Sequence, residues 1–446
     1  MAELKRILVA NRGEIALRAI RTIKEMGKEA VAVYSTADRD ASYLKLADAA
    51  ICIGAAQSSQ SYLNIPAIIS AAEISHCDAI FPGYGFLSEN QNFVEICTHH
   101  GIKFIGPTPE VMVMMSDKSK AKEVMIAAGV PVVPGSSGAI KDIAEAKVRA
   151  KEVGYPIILK ASAGGGGRGM RVVEEEEGIE NAFLAAETEA IAAFGDGTIY
   201  MEKFIKNPRH IEVQVIADAH GNVLHIGERD CSMQRRHQKL IEESPAVALT
   251  PEIRADLHAS AVRATKYIKY EGAGTFEYLL DADKNFYFME MNTRLQVEHC
   301  VSEMVSGLDL IEMMIRVAEG GVLPSQESVV LSGHSIECRI TAEDPIKFLP
   351  CPGKITQWIV PGGRSVRIDS HAYTGYVVPP TYDSMIGKLI VHGKDRSDAI
   401  ARMHRALSEF TVEGIKTTIP FHKKMMKNPD FINNHFDTKY LEKYQG

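Results

Sequence analysis

Short apolar runs alternate with amphipathic segments over the first part of the chain, and this alternation limits the fold more than any other feature. RILVANRGEIALRAIRTIKEMGKEAVAVYS reads as a strand over residues 7–10, a helix over 14–26 with Ile15, Ala19, Ile20 and Ile23 on one face, and a strand over 30–34. Further strands are expected at 50–53, at 79–81 running into PGYGF, and at 103–105 running into GPTPE. Strands interleaved with helices in this way predict a parallel, doubly wound sheet. The first turn, ANRGEI, lacks the GxGxxG that would cradle a dinucleotide, so no such cofactor is assigned to it.

The pattern changes near Ser116. A helix ending near Gly129 leads to a small α/β segment: strand YPIILKAS, a glycine run, strand MRVVE, a helix over 179–193 and strand TIYMEKFI. Strands dominate after Arg209. Residues 321–333 read as a linker, followed by an α+β tail with hairpin strands around 353–368 and a helix near 397–410. The expected class is thus α/β and α+β, with segments 1–115, 116–330 (a lid at about 132–203) and 331–446.

A formal net charge of −7 offers no basic stripe for nucleic acid, so an anionic ligand must meet local positive groups. No apolar run approaches the ~20 residues of a membrane span. Seven cysteines without a CxxC pair read as reduced thiols of a cytoplasmic protein.

KASAGGGGRGM places glycines at 164–167 and 169 around Arg168. Such a run is costly to order, and it fits either a surface linker or a mobile lid whose bare backbone cradles phosphate. Lys160, just before it, and Lys118 could each reach a polyphosphate or be solvated surface lysines. In MEMNTRLQVE the even positions are Glu290, Asn292, Arg294, Gln296 and Glu298, one face of an extended chain. The turn DADKN makes a hairpin that can bring Glu277 of GTFEYLL beside Glu290, and two Glu with one Asn suit Mg²⁺. Beyond them, Arg294 could hold a small oxyanion beside a general base at Glu298, with phosphoryl transfer from a Mg-nucleotide. ERDCSMQRRHQKL is rich in donors, and HSIECRI puts Glu337 and Arg339 on one face of what reads, alone, as an exposed strand.

These stretches, with ANRGEIALR, PGYGFLSEN, FIGP, YMEKF, NPRHIEVQV, PGKI and YDSMIGKL in order, resemble the biotin carboxylase component of biotin-dependent carboxylases over essentially the whole chain. The resemblance implies a Rossmann-like N-terminal domain, an ATP-grasp region with a glycine-loop lid, and a C-terminal biotin carboxylase domain. It implies ATP contacts at Lys118, Lys160, Gly166, Gly167, His210, Gln234 and His237, with Glu202, Lys203, Phe204 and Ile205 along the adenine. Glu277, Glu290 and Asn292 would hold Mg²⁺ or Mn²⁺. Lys239, Arg294, Gln296 and the backbone of Val297 would hold bicarbonate, Glu298 would deprotonate it, and Arg339 with Tyr84 would serve biotin.

The same resemblance implies a biotin carboxyl carrier protein and carboxyltransferase subunits as partners. It also implies a homodimer formed around Arg18, Arg21, Glu25 and Arg367, and the malonyl-CoA step of fatty acid synthesis, with a pyruvate or other acyl-CoA carboxylase as the alternative. Other ATP-grasp ligases and a nucleotide-binding regulator are rival classes. Phe81, Ala163, Cys300 and Arg364 depart from the family pattern.

Overall fold

The computed structural model describes residues 3–136, 138–161 and 170–444. They form two units. The first comprises Met1–Val130, Arg209–Tyr278 and Glu290–Gly446; the second comprises Pro131–Pro208 and Leu279–Met289.

The first unit opens with the expected parallel sheet. Its strands lie in the order Ala49–Gly54, Glu29–Ser35, Arg6–Val9, Ala79–Phe81 and Lys103–Phe104. Helix Gly13–Glu25 buries Ile15, Ala19, Ile20 and Ile23, the face read from the sequence. The winding reverses between Arg6–Val9 and Ala79–Phe81, and at such a switch point the loops leaving the strands open a crevice. Here Asn11 ties the two loops together, donating from Nδ2 to the Pro82 carbonyl (2.7 Å) and the Tyr84 carbonyl (2.8 Å). Gly83 permits this approach: its φ is +65°, and a Cβ would come 2.9 Å from the Asn11 amide.

An eight-stranded sheet follows, in the order Phe286–Asn292, Gly272–Leu280, Arg209–Ala217, Val223–Arg235, Gln238–Ser244, His334–Thr341, Met385–Gly393 and Val366–Ser370. Val223–Arg235 and Gln238–Ser244 are joined by the two-residue turn Arg236–His237, both at positive φ, as a tight hairpin requires. Helix His299–Ser306 lies against this sheet with His299, Cys300, Ser302 and Glu303 buried. All seven cysteines are unpaired. No described helix is long and apolar enough to cross a membrane.

Three expectations are corrected. Strand His334–Thr341 is buried, because it lies inside the sheet and under that helix, with Glu337 fully inaccessible. Residues 353–368 are not a hairpin: Gly353–Lys354 pairs with Val377–Val378, Gln357–Ile359 with Thr411–Glu413, and Val366–Ser370 with Met385–Gly393. The extended face expected over 289–298 ends at Asn292, where the chain bends toward the helix.

The second unit has its own core. Strand Ile157–Ala161 is flanked by Met170–Val173 and Ile199–Lys203, both antiparallel, and Ile157, Leu159, Ile199 and Met201 pack against Phe183 and Ala186. Helix Ile143–Val153 is capped by Asp142, which accepts from the Glu145 amide, and stops at Gly154 with φ +80°.

Candidate active site

Period two in RHIEVQV sends His210, Glu212 and Gln214 to one side of strand Arg209–Ala217 and Ile211, Val213 and Val215 to the other. On the neighbouring strand Arg229 stands directly opposite Glu212, and the two pair at 2.5 Å, both wholly buried. Lys239, from Gln238–Ser244, reaches the same face. Its Nζ donates to Glu298 (2.6 Å), Glu212 (2.7 Å) and Glu277 (3.1 Å). Burial works against the ammonium, but these carboxylates outweigh it and hold the Lys239 pKa well above the usual lysine range.

Glu298 ends the bend after Asn292 and is fully buried. Lys239 holds Oε1, and Arg339 NH2 donates to Oε2 at 2.9 Å. Desolvation would raise its pKa, yet Lys239, Arg339 and Arg229 together push it well below the usual carboxylate range. The Glu298 carboxylate is therefore ionised and held by two cations.

Glu277 gathers the remaining polar row. Its Oε1 accepts from Asn292 Nδ2 (2.9 Å) and Gln296 Nε2 (2.8 Å), while His210 Nε2 stands 2.9 Å from Oε2. Burial opposes its ionisation, but Lys239 and His210 hold its pKa far below the usual value. Arg294 donates to Asn292 Oδ1 (2.9 Å) and Glu89 Oε2 (2.8 Å), and Glu89 also accepts from the Thr293 amide. Gln234 stands 3.5 Å from His210 Nδ1. Thus Lys239, Glu277, Asn292, Arg294, Gln296, Glu298 and Arg339 converge, although the extended-strand argument for the last part of that row fails.

His237 is exposed at the hairpin tip, apart from these contacts, and Glu290 is half-buried on strand Phe286–Asn292. Tyr84 donates its hydroxyl to Glu14, which also pairs with Lys388 at 3.1 Å. Lys388 in turn donates to the Val297 carbonyl at 2.8 Å. In the second unit Lys160 pairs with Glu202, and Lys203 spends its ammonium on the carbonyls of Gly154 (2.8 Å) and Tyr155 (2.7 Å). Phe204 and Ile205 lie beyond the end of their strand, which stops at Lys203. Gly166, Gly167, Ala163 and the side chain of Lys118 fall outside the described residues.

The sequence reading passed over Glu89, Glu212, Arg229, Glu242 and Lys388. The alternation in RHIEVQV was a usable signal for Glu212. Glu242 and Lys388 carried none, because their partners lie on strands distant in sequence.

Comparison with known proteins gives this geometry its context. Residues 3–112 match the biotin carboxylase N-terminal domain, 117–326 the carbamoyl-phosphate synthase L chain ATP binding domain, and 337–443 the biotin carboxylase C-terminal domain. A biotin carboxylase from Nostoc sp. is 56% identical over 439 residues, covering 98% of both chains. The chain belongs to the biotin carboxylase family. It is therefore an ATP-dependent ligase of the ATP-grasp class that carboxylates biotin. Among solved biotin carboxylases, a β,γ-ATP complex from Campylobacter jejuni superimposes with a TM-score of 0.93 at 69% identity, covering 99% of each chain. The biotin carboxylase domain dimer of Hydrogenobacter thermophilus 2-oxoglutarate carboxylase, solved with MgADP, ADP and bicarbonate, gives 0.90 at 49% identity, covering 99% of this chain and 98% of that one.

Proposed function

We propose that Glu298 is the general base of an ATP- and bicarbonate-dependent carboxylation of biotin, and the observation that carries this reading is its carboxylate held between Lys239 and Arg339. Bicarbonate binds through Arg294, Gln296, Lys239 and the Val297 amide. Its proton passes to Glu298, and its oxygen attacks the γ-phosphate of ATP; the bond from that phosphorus to the β,γ-bridging oxygen breaks, so that ADP leaves and carboxyphosphate is formed. Collapse of carboxyphosphate releases CO₂ and a phosphate that takes the ureido proton of biotin. Arg339 stabilises the enolate so formed, with Tyr84 nearby.

The nucleotide is met by Lys118, Lys160, the glycine loop with Gly166 and Gly167, His210, Gln234 and His237, with residues 202–205 along the adenine. Glu277, Glu290 and Asn292 would hold Mg²⁺ or Mn²⁺, whose hard-ligand preference their side-chain oxygens suit; Glu277 and Asn292 are already neighbours, joined at 2.9 Å through the Asn292 amide nitrogen. Such an ion neutralises phosphate charge.

The chain acts in the cytoplasm, in segments 1–115, 116–330 and 331–446, as a homodimer that serves a biotinyl carrier protein and a separate carboxyltransferase, with acetyl-CoA as final acceptor. Arg18 and Arg367, implied at the dimer contact, are each paired within the chain through Glu303, at 3.0 and 2.8 Å. The Hydrogenobacter domain dimer supports the pairing of two copies. The decisive assay follows labelled bicarbonate into acid-labile carboxybiotin with ATP present. Carboxybiotin that forms only with ATP and wild-type Glu298 upholds the reading; formation by Glu298→Gln at the wild-type rate overturns the base.

A further inference from the structure

Arg339 is gripped on two sides by carboxylates of different character. Its NH2 donates to Glu298, the base, at 2.9 Å, while its Nε donates to Glu242 Oε1 at 2.6 Å. Strands Gln238–Ser244 and His334–Thr341 run antiparallel with Glu242 opposite Glu337 and Cys338 opposite Ile241, so Glu242 lies diagonal to Arg339 on the same face. Glu242 is wholly buried, and its Oε2 has no hydrogen-bond partner among the described residues. Burial and the Glu298 charge raise its pKa to about 7, with Arg339 opposing. A buried carboxylate with one partner is costly to keep for stability alone, since well-packed apolar residues often do as well.

The reaction gives it a use. At rest Arg339 donates to two carboxylates, Glu242 and Glu298, and Glu337 on its own strand also acts on its charge. When Glu298 accepts the bicarbonate proton it becomes neutral, and its hold on NH2 weakens. Without Glu242 the guanidinium would then keep neither of its two hydrogen-bonded carboxylates in charged form and could shift toward Glu337, whose field also acts on it. With Glu242 on the Nε edge, the ring of donors stays in place and only the NH2 edge is released.

We propose that Glu242 is a positioning residue for the biotin half of the reaction: it anchors Arg339 by Nε while protonation of Glu298 hands the NH2 edge to the developing enolate oxygen of biotin. This rests on the role proposed above for Arg339. Glu242 thereby links the two half-reactions, since Arg339 becomes available only after the bicarbonate proton has moved.

The test is a coupling ratio, ATP cleaved per biotin carboxylated, measured on the full chain with bicarbonate and free biotin. Glu242→Gln should raise that ratio by about tenfold or more and lower kcat for carboxylation, with the KM for ATP moving less than about twofold. Glu242→Asp, which keeps the charge but shortens the reach, should raise the ratio by about threefold and carries the test if the Gln variant does not fold. Combined with Arg339→Ser, Glu242→Gln should add nothing further, because both act through one guanidinium. A wild-type ratio in both Glu242 variants, or a double variant worse by the product of the singles, overturns the proposal. If Arg339→Ser itself keeps the wild-type ratio, the role of Arg339 fails; if it uncouples while the Glu242 variants do not, only the anchoring fails.

Discussion

Two ion-paired lysines show how differently the units use charge. Lys160, in the second unit, pairs with the carboxylate of Glu202, the two side chains 38% and 15% exposed. Lys239, in the first, meets three carboxylates at 12% exposure. An exposed pair is worth about 0–1 kcal/mol, because water competes for both partners. Breaking a buried pair costs about 3–5 kcal/mol, because it strands a charge away from water. The Lys160 pair is thus the more open to solvent, whereas Lys239 and its carboxylates form a buried network.

The sharpest way to break this contrast is to reverse a charge in the buried network. Glu277→Lys puts a second ammonium beside Lys239 and should abolish turnover at every magnesium concentration; activity restored by excess magnesium would show that Glu277 is not central. Glu298→Gln keeps the shape but cannot take a proton, and bicarbonate-dependent ATP cleavage should fall by about a thousandfold while nucleotide affinity stays within severalfold. Arg339→Ser should lower carboxybiotin formation by about a hundredfold or more while slow ATP cleavage survives. Equal loss of both activities would argue against its separate duty.

Acid tests the buried charges as stabilisers. Burial alone would raise the Glu243 pKa, but His334 (2.8 Å) and Arg396 (2.6 Å) hold it down to about 2, below the ordinary 4.5. A carboxylate depressed in the folded state stabilises fully above its unfolded pKa and loses that contribution as pH falls toward the folded value. The stake is about 3 kcal/mol. The urea midpoint should therefore drop between about pH 5 and pH 2, and Glu243→Gln should flatten that drop. The smallest effect is expected in the second unit. Lys160→Ala should raise the KM for ATP by about tenfold and shift Tm by no more than about 2 °C, as an exposed pair predicts. A Tm loss comparable to that of a buried-pair variant would erase the distinction drawn here.

Local chemistry was legible where period and neighbour were close in sequence. The βαβ opening, the faces of helices Gly13–Glu25 and Arg396–Glu409, and the Gly272–Leu280 and Phe286–Asn292 strands all follow from alternation and turn residues. The row from Glu290 to Glu298 was expected on one extended face, and half of that reason was wrong. Gln296 meets Glu277 from a bend, and Glu298 meets Lys239 from the turn before a helix. The HSIECRI strand looked exposed because its charges suggested water, whereas Glu242, Glu298 and Lys388 supply the company that lets them be buried.

The sequence by itself determined the order of strands and helices, the residue types of the site and the family, because periodicity, turn chemistry and ordered motifs are written along the chain. Only the tertiary structure decided which charges meet. Glu212 faces Arg229, Glu242 grips Arg339, and Lys388 reaches Val297 across 91 positions of sequence. Such pairings arise from strand order and register in the eight-stranded sheet, which set neighbours by hydrogen bonding between strands remote in sequence. Burial then fixes their consequence: the carboxylate of Glu298, which would be an ordinary charge on the surface, is held ionised at the N-terminus of helix His299–Ser306 between Lys239 and Arg339.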